Sequence, residues 1–415
     1  MPADQVAETP LLRNRNFWLF VINRTSNVIG THSLTVAVGW HVYKLTNDPL
    51  DLGLIGLAQF APALVLFLAA GMAADRFDRR RIMVLCNIAH MAVVGALITL
   101  FWFGLGTVWP ILAILVVHGA ARSFYHTASQ AVLPNLMPMH QFPKAIAYNS
   151  SASKAAQLLG PALGGFLIAG IGDGVYYFTL ATFLLAGITS AMISGNLKVP
   201  SREPVSLHSL LGGFHYIKNN KIVLGAISID LLAVLFGGVM GLLPVFAADI
   251  LHVGPSGLGV MRAMPGVGSL VVGMILMQIS TPRYMGPTLF FSLAVFGISI
   301  TVFSLSETYW ISLAALAIYG AADMVSVYVR QTLVQIATPD DMRGRVSAVN
   351  AVSINASNEL GDFRAGVMAG GIGTVPAVLV GGITTVAVTV IWMKLFPSIR
   401  RIDQLDQVKM SSGSS

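Results

Sequence analysis

From Phe17 to Phe396 the chain is a succession of apolar stretches near twenty residues long, separated by short polar connections. Coiled as a helix, a stretch of that length matches the roughly 30 Å hydrocarbon core of a bilayer. Backbone groups in hydrocarbon find no water, so each stretch must satisfy them internally, as a helix does. Twelve spans are expected, at 17–45, 51–74, 82–105, 108–135, 146–171, 174–196, 222–250, 256–279, 288–306, 309–337, 346–371 and 374–396. Only 10% of residues are charged and 55% are hydrophobic, whereas a soluble domain carries about a quarter charged residues. The chain is therefore read as an all-α membrane protein.

The basic residues set the orientation. Arg13, Arg15, Arg76, Arg79, Arg80, Arg81, Lys144, Lys198, Arg202, Lys218, Lys221, Arg283, Arg343, Arg345, Lys394, Arg400, Arg401 and Lys409 all fall in alternate connections or the termini. The opposite connections, Thr46–Leu50, Gly106–Thr107, Gly172–Asp173, His252–Pro255, Glu307–Thr308 and Gly373, hold no lysine or arginine. Positively charged loops stay in the cytoplasm, so both termini are expected there and the number of spans is even. The net charge of +7 is dispersed over these loops and does not point to nucleic acid. The polar start is expected to be an uncleaved cytoplasmic segment.

The second half repeats the first. At an offset of 201, Gly119-Ala-Ala falls on Gly320-Ala-Ala, Gln130 on Gln331, Pro138 on Pro339 and Lys144 on Arg345. Asn149 then falls on Asn350, Gly160 on Gly361, Gly165 on Gly366 and Gly172 on Gly373, with no gap. Spans four and five thus recur as spans ten and eleven. The expected organisation is a cytoplasmic segment (1–16), a six-helix half (17–196), a cytoplasmic linker (197–221), a second six-helix half (222–396) and a cytoplasmic tail (397–415). Both halves start on the same side, giving twelve transmembrane helices in two parallel six-helix halves. In the linker, Leu207, Leu210, Leu211, Phe214 and Ile217 make one helical stripe, as an amphipathic surface helix would.

Charges also lie within the spans: Arg24, Arg122, Lys154, Arg262, Arg330 and Arg364, with Asp230, Asp323, Glu359 and Asp362. Each costs at least about 2.5–3.5 kcal/mol at bilayer depth unless paired or hydrated. Arg24 and Asp230 occupy corresponding helices, and Arg122 and Asp323 are equivalent under the 201 offset. The first half supplies the cation each time and the second half the anion. Such charges can pair between facing halves, and a substrate or proton can compete for the pair. Arg330 shares a helix face with Asp323 and is a candidate contact for an anionic substrate group or a cap at the inner side. Asp323 is the first choice of proton-coupling acid, followed by Asp230, Glu359 and Asp362, because acids held in apolar surroundings gain proton affinity. The alternative for span eleven is a brace against Lys154 or Arg330. Trp40, Phe124 and Tyr328 offer packing or stacking surface.

Other chemistries find little here. Cys86 is the one cysteine, which leaves no disulfide framework or metal–thiolate site. His32, His41, His90, His118 and His126 are expected to hydrogen-bond between helices rather than hold a metal. No phosphate-binding Gly-x-x-x-x-Gly-Lys-Ser/Thr loop occurs, so any energy the chain uses is expected to come from an ion gradient or a substrate's own gradient. No nucleophile–base set suggests an enzyme, and no cofactor is implied.

Three stretches carry a resemblance. They are Gly71-Met-Ala-Ala-Asp75-Arg76-Phe77-Asp78-Arg79-Arg80-Arg81 between spans two and three, Pro339 to Arg345 after span ten, and Asn358 to Gly366 in span eleven. Together they resemble the enterobactin-exporter-type and macrolide-efflux-like branch of the major facilitator superfamily, which also includes nickel- and cobalt-export proteins. The resemblance implies a substrate site at the midplane lined by spans one, four, seven and ten, export by alternating access, and a monomer. It assigns Gly71, Asp75, Arg76, Arg79 and Arg80 to a cytoplasmic gate loop, with Asp78 standing where a glycine is usual. Gly160-Pro161-Ala-Leu-Gly164-Gly165 is similar to the helix-bend element of drug–proton antiporters. The implied partners are a small siderophore-like or drug-like molecule, protons and the bilayer. A divalent-metal exporter, a lipid or lysolipid translocator and a transport-inactive receptor are the alternatives.

Overall fold

A computed structural model of the chain describes residues 11–195, 207–278 and 284–402. Lys198, Arg202, Arg283 and Lys409, with most of the expected N-terminal segment, linker loop and tail, lie outside the described residues. The first six long helices are α1 (Arg15–Thr46), α2 (Pro49–Arg76), α3 (Arg79–Trp102), α4 (Val108–Val132), α5 (Phe142–Ile171) and α6 (Val175–Met192). A shorter helix, α7 (Leu207–Asn219), follows. Then come α8 (Lys221–Gly237), α9 (Gly254–Leu276), α10 (Met285–Leu305), α11 (Tyr309–Ala337), α12 (Asp340–Ile372) and α13 (Thr374–Leu395). Among the described residues, nine apolar stretches are long enough to cross a membrane, and one of them, Phe142–Met192, comprises both α5 and α6. α1 and α12, of 32 and 33 residues, fall outside that set. α12 holds Arg343, Arg345, Glu359, Asp362 and Arg364 along its length.

By contacts the chain forms two compact units, Met1–His41 with Ala58–Val205 and Val42–Leu57 with Ser206–Ser415. The end of α1 and the start of α2 thus belong to the second unit. Gly53 lies against Gly366 there, and the Tyr43 hydroxyl donates to the Asp249 carboxylate.

The internal repeat is visible in the elements. α4 starts at Val108 and α11 at Tyr309, while α5 ends at Ile171 and α12 at Ile372; both pairs differ by the sequence offset. The two ends stop alike, with Gly172 at φ 56° and Gly373 at φ 91°, a left-handed turn in which a side chain is strained. The packing repeats too. Gly160 lets α5 approach the His32 and Ile29 region of α1, and its counterpart Gly361 lets α12 approach Val234 and Leu235 of α8. Gly119 of α4 sits on the Gln59 backbone of α2, and Gly320 of α11 sits on the Pro265 backbone of α9. Small residues let helix backbones meet where lipid offers no hydrophobic drive.

Local signals explain the remaining boundaries. Asp78 caps α3, accepting from the Arg80 backbone N–H at 2.9 Å. Asn220 caps α8 through the N–H groups of Ile222 and Val223, both at 3.1 Å. α7 rests on the first turns of α12, where Gly213 meets the Arg345 backbone. Ile217 is buried while Phe214 is exposed.

Candidate functional site

The charged loop between α2 and α3 divides its residues between two tasks. Arg79 is buried; its Nε donates to the Ala74 carbonyl at 3.0 Å and its Nη1 to the Ala131 carbonyl at 2.8 Å. Arg80 donates to the Ile193 carbonyl at 3.0 Å and lies 3.8 Å from Asp78. These carbonyls belong to the ends of α2, α4 and α6, where the last turn leaves acceptors unpaired and the helix dipole favours a cation. Two arginines therefore tie three helix ends together. Asp75 lies beside Arg79. A side chain at Gly71 would meet nothing within 4 Å, so packing does not demand glycine there. Asp78, in place of the usual glycine, serves as the α3 cap. Arg76 and Arg81 are exposed and make no side-chain hydrogen bond or ion pair among the described residues.

In the first unit a polar seam runs through the helix core. The Tyr125 hydroxyl donates to Asn23 at 2.7 Å, Asn23 donates to the Ala186 carbonyl, and Asn27 donates to Asn87 at 2.9 Å. His90 and His118 share a hydrogen bond between their Nδ1 atoms at 3.0 Å, and His90 stacks on Phe183. His41 meets Tyr176 at 2.9 Å and Asp173 at 3.1 Å. Arg24 of α1 and Arg122 of α4 both stand near His126, so these two intramembrane cations share a neighbour. Lys154 donates along its own helix to Gln157. The Gly160–Gly165 element packs α5 on α1, with Ser33 donating to the Gly160 carbonyl at 2.8 Å. Pro161 lies inside α5 without ending it.

Two groups of charges stand within the helices among the described residues of the second unit. Asp230 of α8 is paired with Arg330 of α11, and both side chains are buried. Asp230 thus finds its cation within its own unit. The other group surrounds a break in the seventh span. α8 stops at Gly237, and the chain passes through a single 3-10 turn, a short α segment (Leu243–Val245) and a π turn (Phe246–Ile250) before α9. Gly238 sits directly on the Gly361 backbone, where any side chain would collide. The break strands carbonyls that a continuous helix would satisfy. Arg364 donates to Leu235 at 3.0 Å and to Phe236 at 2.6 Å, and its guanidinium lies 5.6 Å from the Phe236 ring. Arg262 donates to the Met240 carbonyl at 3.2 Å. Asp362 accepts from the Gly241 backbone N–H, with Arg262, Arg364 and Glu359 as its charged neighbours.

In the sequence Glu359 and Asp362, three residues apart, share a face of span eleven, with Arg364 set off by a further two. The sequence did not join them to Arg262, which lies beside Asp362. Asp323 and Glu359 are half-buried. The asparagine seam and the break at Gly238 had no sequence assignment; Gly237-Gly238 and Gly241-Leu-Leu-Pro244 inside an apolar run were the available signals for the break.

Comparison with known proteins agrees with this architecture. The family described as transmembrane secretion effector matches residues 7–412. Macrolide efflux protein A of Streptococcus pyogenes is 22% identical, over 94% of this chain and 97% of that protein. The enterobactin exporter EntS of Citrobacter koseri is 24% identical, over 92% of each. Among solved structures, the nucleoside transporter NupG superposes with a TM-score of 0.71 at 13% identity, covering 92% of this chain and 99% of that one, a likeness of fold. The chain belongs to the transmembrane secretion effector family of major facilitator superfamily transporters.

Proposed function

We propose that the chain is a proton-coupled exporter of the bacterial inner membrane, with both termini in the cytoplasm, moving a small siderophore-like or drug-like compound outward by alternating access. Two relatives matched along nearly their whole length are named for macrolide efflux and enterobactin export, which supports outward movement of an organic compound. The observation that carries the coupling is Asp362 between the broken seventh span and two arginines.

A coupling acid must be reachable by a proton and must change something mechanical when it binds one. Asp362 and Glu359 are half-buried, whereas Asp230 is sealed against Arg330. Asp362 is also the counter-charge of the arginines that hold the Met240, Leu235 and Phe236 carbonyls. Its neutralisation would remove that counter-charge, and the arginines' hold on the break would readjust. Proton occupancy and the geometry of the span then become linked quantities. Asp323 stands second as coupling acid. Arg24 and Arg122 supply positive charge in the first unit for an anionic or catechol-bearing compound.

The test uses cells stripped of their own efflux pumps. Expression of the chain is expected to lower accumulation of a macrolide or an iron-free catecholate, and a protonophore should abolish the effect. Asp362→Asn should reduce export at least tenfold at unchanged protein level. Full export by that variant, or export indifferent to the protonophore, rejects Asp362 coupling.

A further inference from the structure

The two loop arginines not used as helix caps flank a cavity. It measures about 450 Å³, and Arg76, Phe77, Arg81, Ile82, Leu85 and Phe124 are among the residues that line it. Its chemistry is divided. Arg76 and Arg81 lie on its loop side with no ion pair or side-chain hydrogen bond among the described residues. The acid beside them, Asp78, is already committed to the α3 N-terminus and to Arg80. The rest of the lining is apolar. It continues outward into Phe77 of the loop and Leu85 and Ile88 of α3, all of them exposed. A ligand fitting this place carries negative charge at the membrane surface and an apolar body running toward the bilayer centre.

We propose that the cavity binds one anionic phospholipid of the adjoining leaflet. Its phosphate sits between Arg76 and Arg81, and the upper part of one acyl chain lies against Phe77, Ile82, Leu85 and Phe124. Guanidinium groups suit phosphate because their planar N–H pairs match its oxygens. Basic side chains at a membrane surface favour anionic lipid by about tenfold or less each. The same loop thus joins three helix ends through Arg79 and Arg80 and holds a lipid through its two remaining arginines.

Native mass spectrometry of the delipidated full chain tests this, with dioleoyl phosphatidylglycerol and dioleoyl phosphatidylcholine offered at equal concentration. One phosphatidylglycerol is expected to be retained with roughly tenfold preference or more. Arg76→Gln with Arg81→Gln should bring the two lipids to parity, while Arg400→Gln with Arg401→Gln should leave the preference intact. If the double variant yields no folded protein, each single arginine change carries the test with a partial loss. Inorganic phosphate alone should displace the lipid poorly, because it lacks the apolar body. Equal retention of both lipids, a preference unchanged in the loop variants, or full displacement by phosphate would overturn the assignment.

Discussion

Asp230→Ala is expected to destabilise the protein by about 3–5 kcal/mol, the usual cost of leaving one member of a buried ion pair alone. Arg330 is among the largest fully buried side chains and Asp230 is its ion-pair partner. Without the carboxylate a guanidinium is left charged in the core of the second unit. Thermal unfolding in detergent should show the loss, and the yield of monodisperse protein should fall. Replacing both residues by apolar ones, Asp230→Leu with Arg330→Met, is expected to recover most of the stability, because the pair's desolvation cost disappears with the pair. A single variant within 1 kcal/mol of the parent would show that water reaches the site. Transport by the stable double variant separates two roles: retained activity makes the pair a strut, and lost activity makes it part of the cycle.

The second large effect is steric. A Cβ on Gly320 would overlap the Pro265 carbonyl oxygen, and one on Gly119 would overlap that of Gln59. Both obstacles are backbone, so no side chain can move aside. Gly320→Val and Gly119→Val should each separate a helix pair, at a cost above the usual 1–3 kcal/mol of overpacking. Little folded protein is expected from either. Gly71→Val, which meets open space, is the control and should express like the parent. Normal folding of both interface variants would contradict the helix registers described above.

These contacts show what a sequence can and cannot disclose. The spans were legible because hydrocarbon thickness fixes the length of an apolar run. The repeat was legible because a constant offset survives in glycines that allow backbone contact. α4 with α11 and α5 with α12 then begin or end at that same offset. Partner identity was another matter. Periodicity places Asp230 on a helix face but says nothing about which of eleven other helices it meets, and Arg330 lies 100 residues away. Span seven reads as one apolar run, since hydropathy is blind to whether its carbonyls are satisfied. The break, and the two arginines that cap it, emerge only when Arg262 and Arg364 are seen to point at Met240, Leu235 and Phe236. The resemblance placed Arg76, Arg79 and Arg80 together in one gate loop. Only geometry separates Arg79 and Arg80, which hold helix ends, from Arg76 and Arg81, which flank a cavity.

The central claim, exchange of an organic compound for protons, is tested most directly with purified protein in liposomes holding a trapped pH indicator. An iron-free catecholate, a macrolide and a divalent metal ion are added in turn, to the parent and to Asp362→Asn. Proton movement evoked by one of the two organic compounds, and lost in the variant, is the predicted result. Uptake of labelled compound down its own gradient with no proton movement, or a response to the metal ion alone, would contradict it.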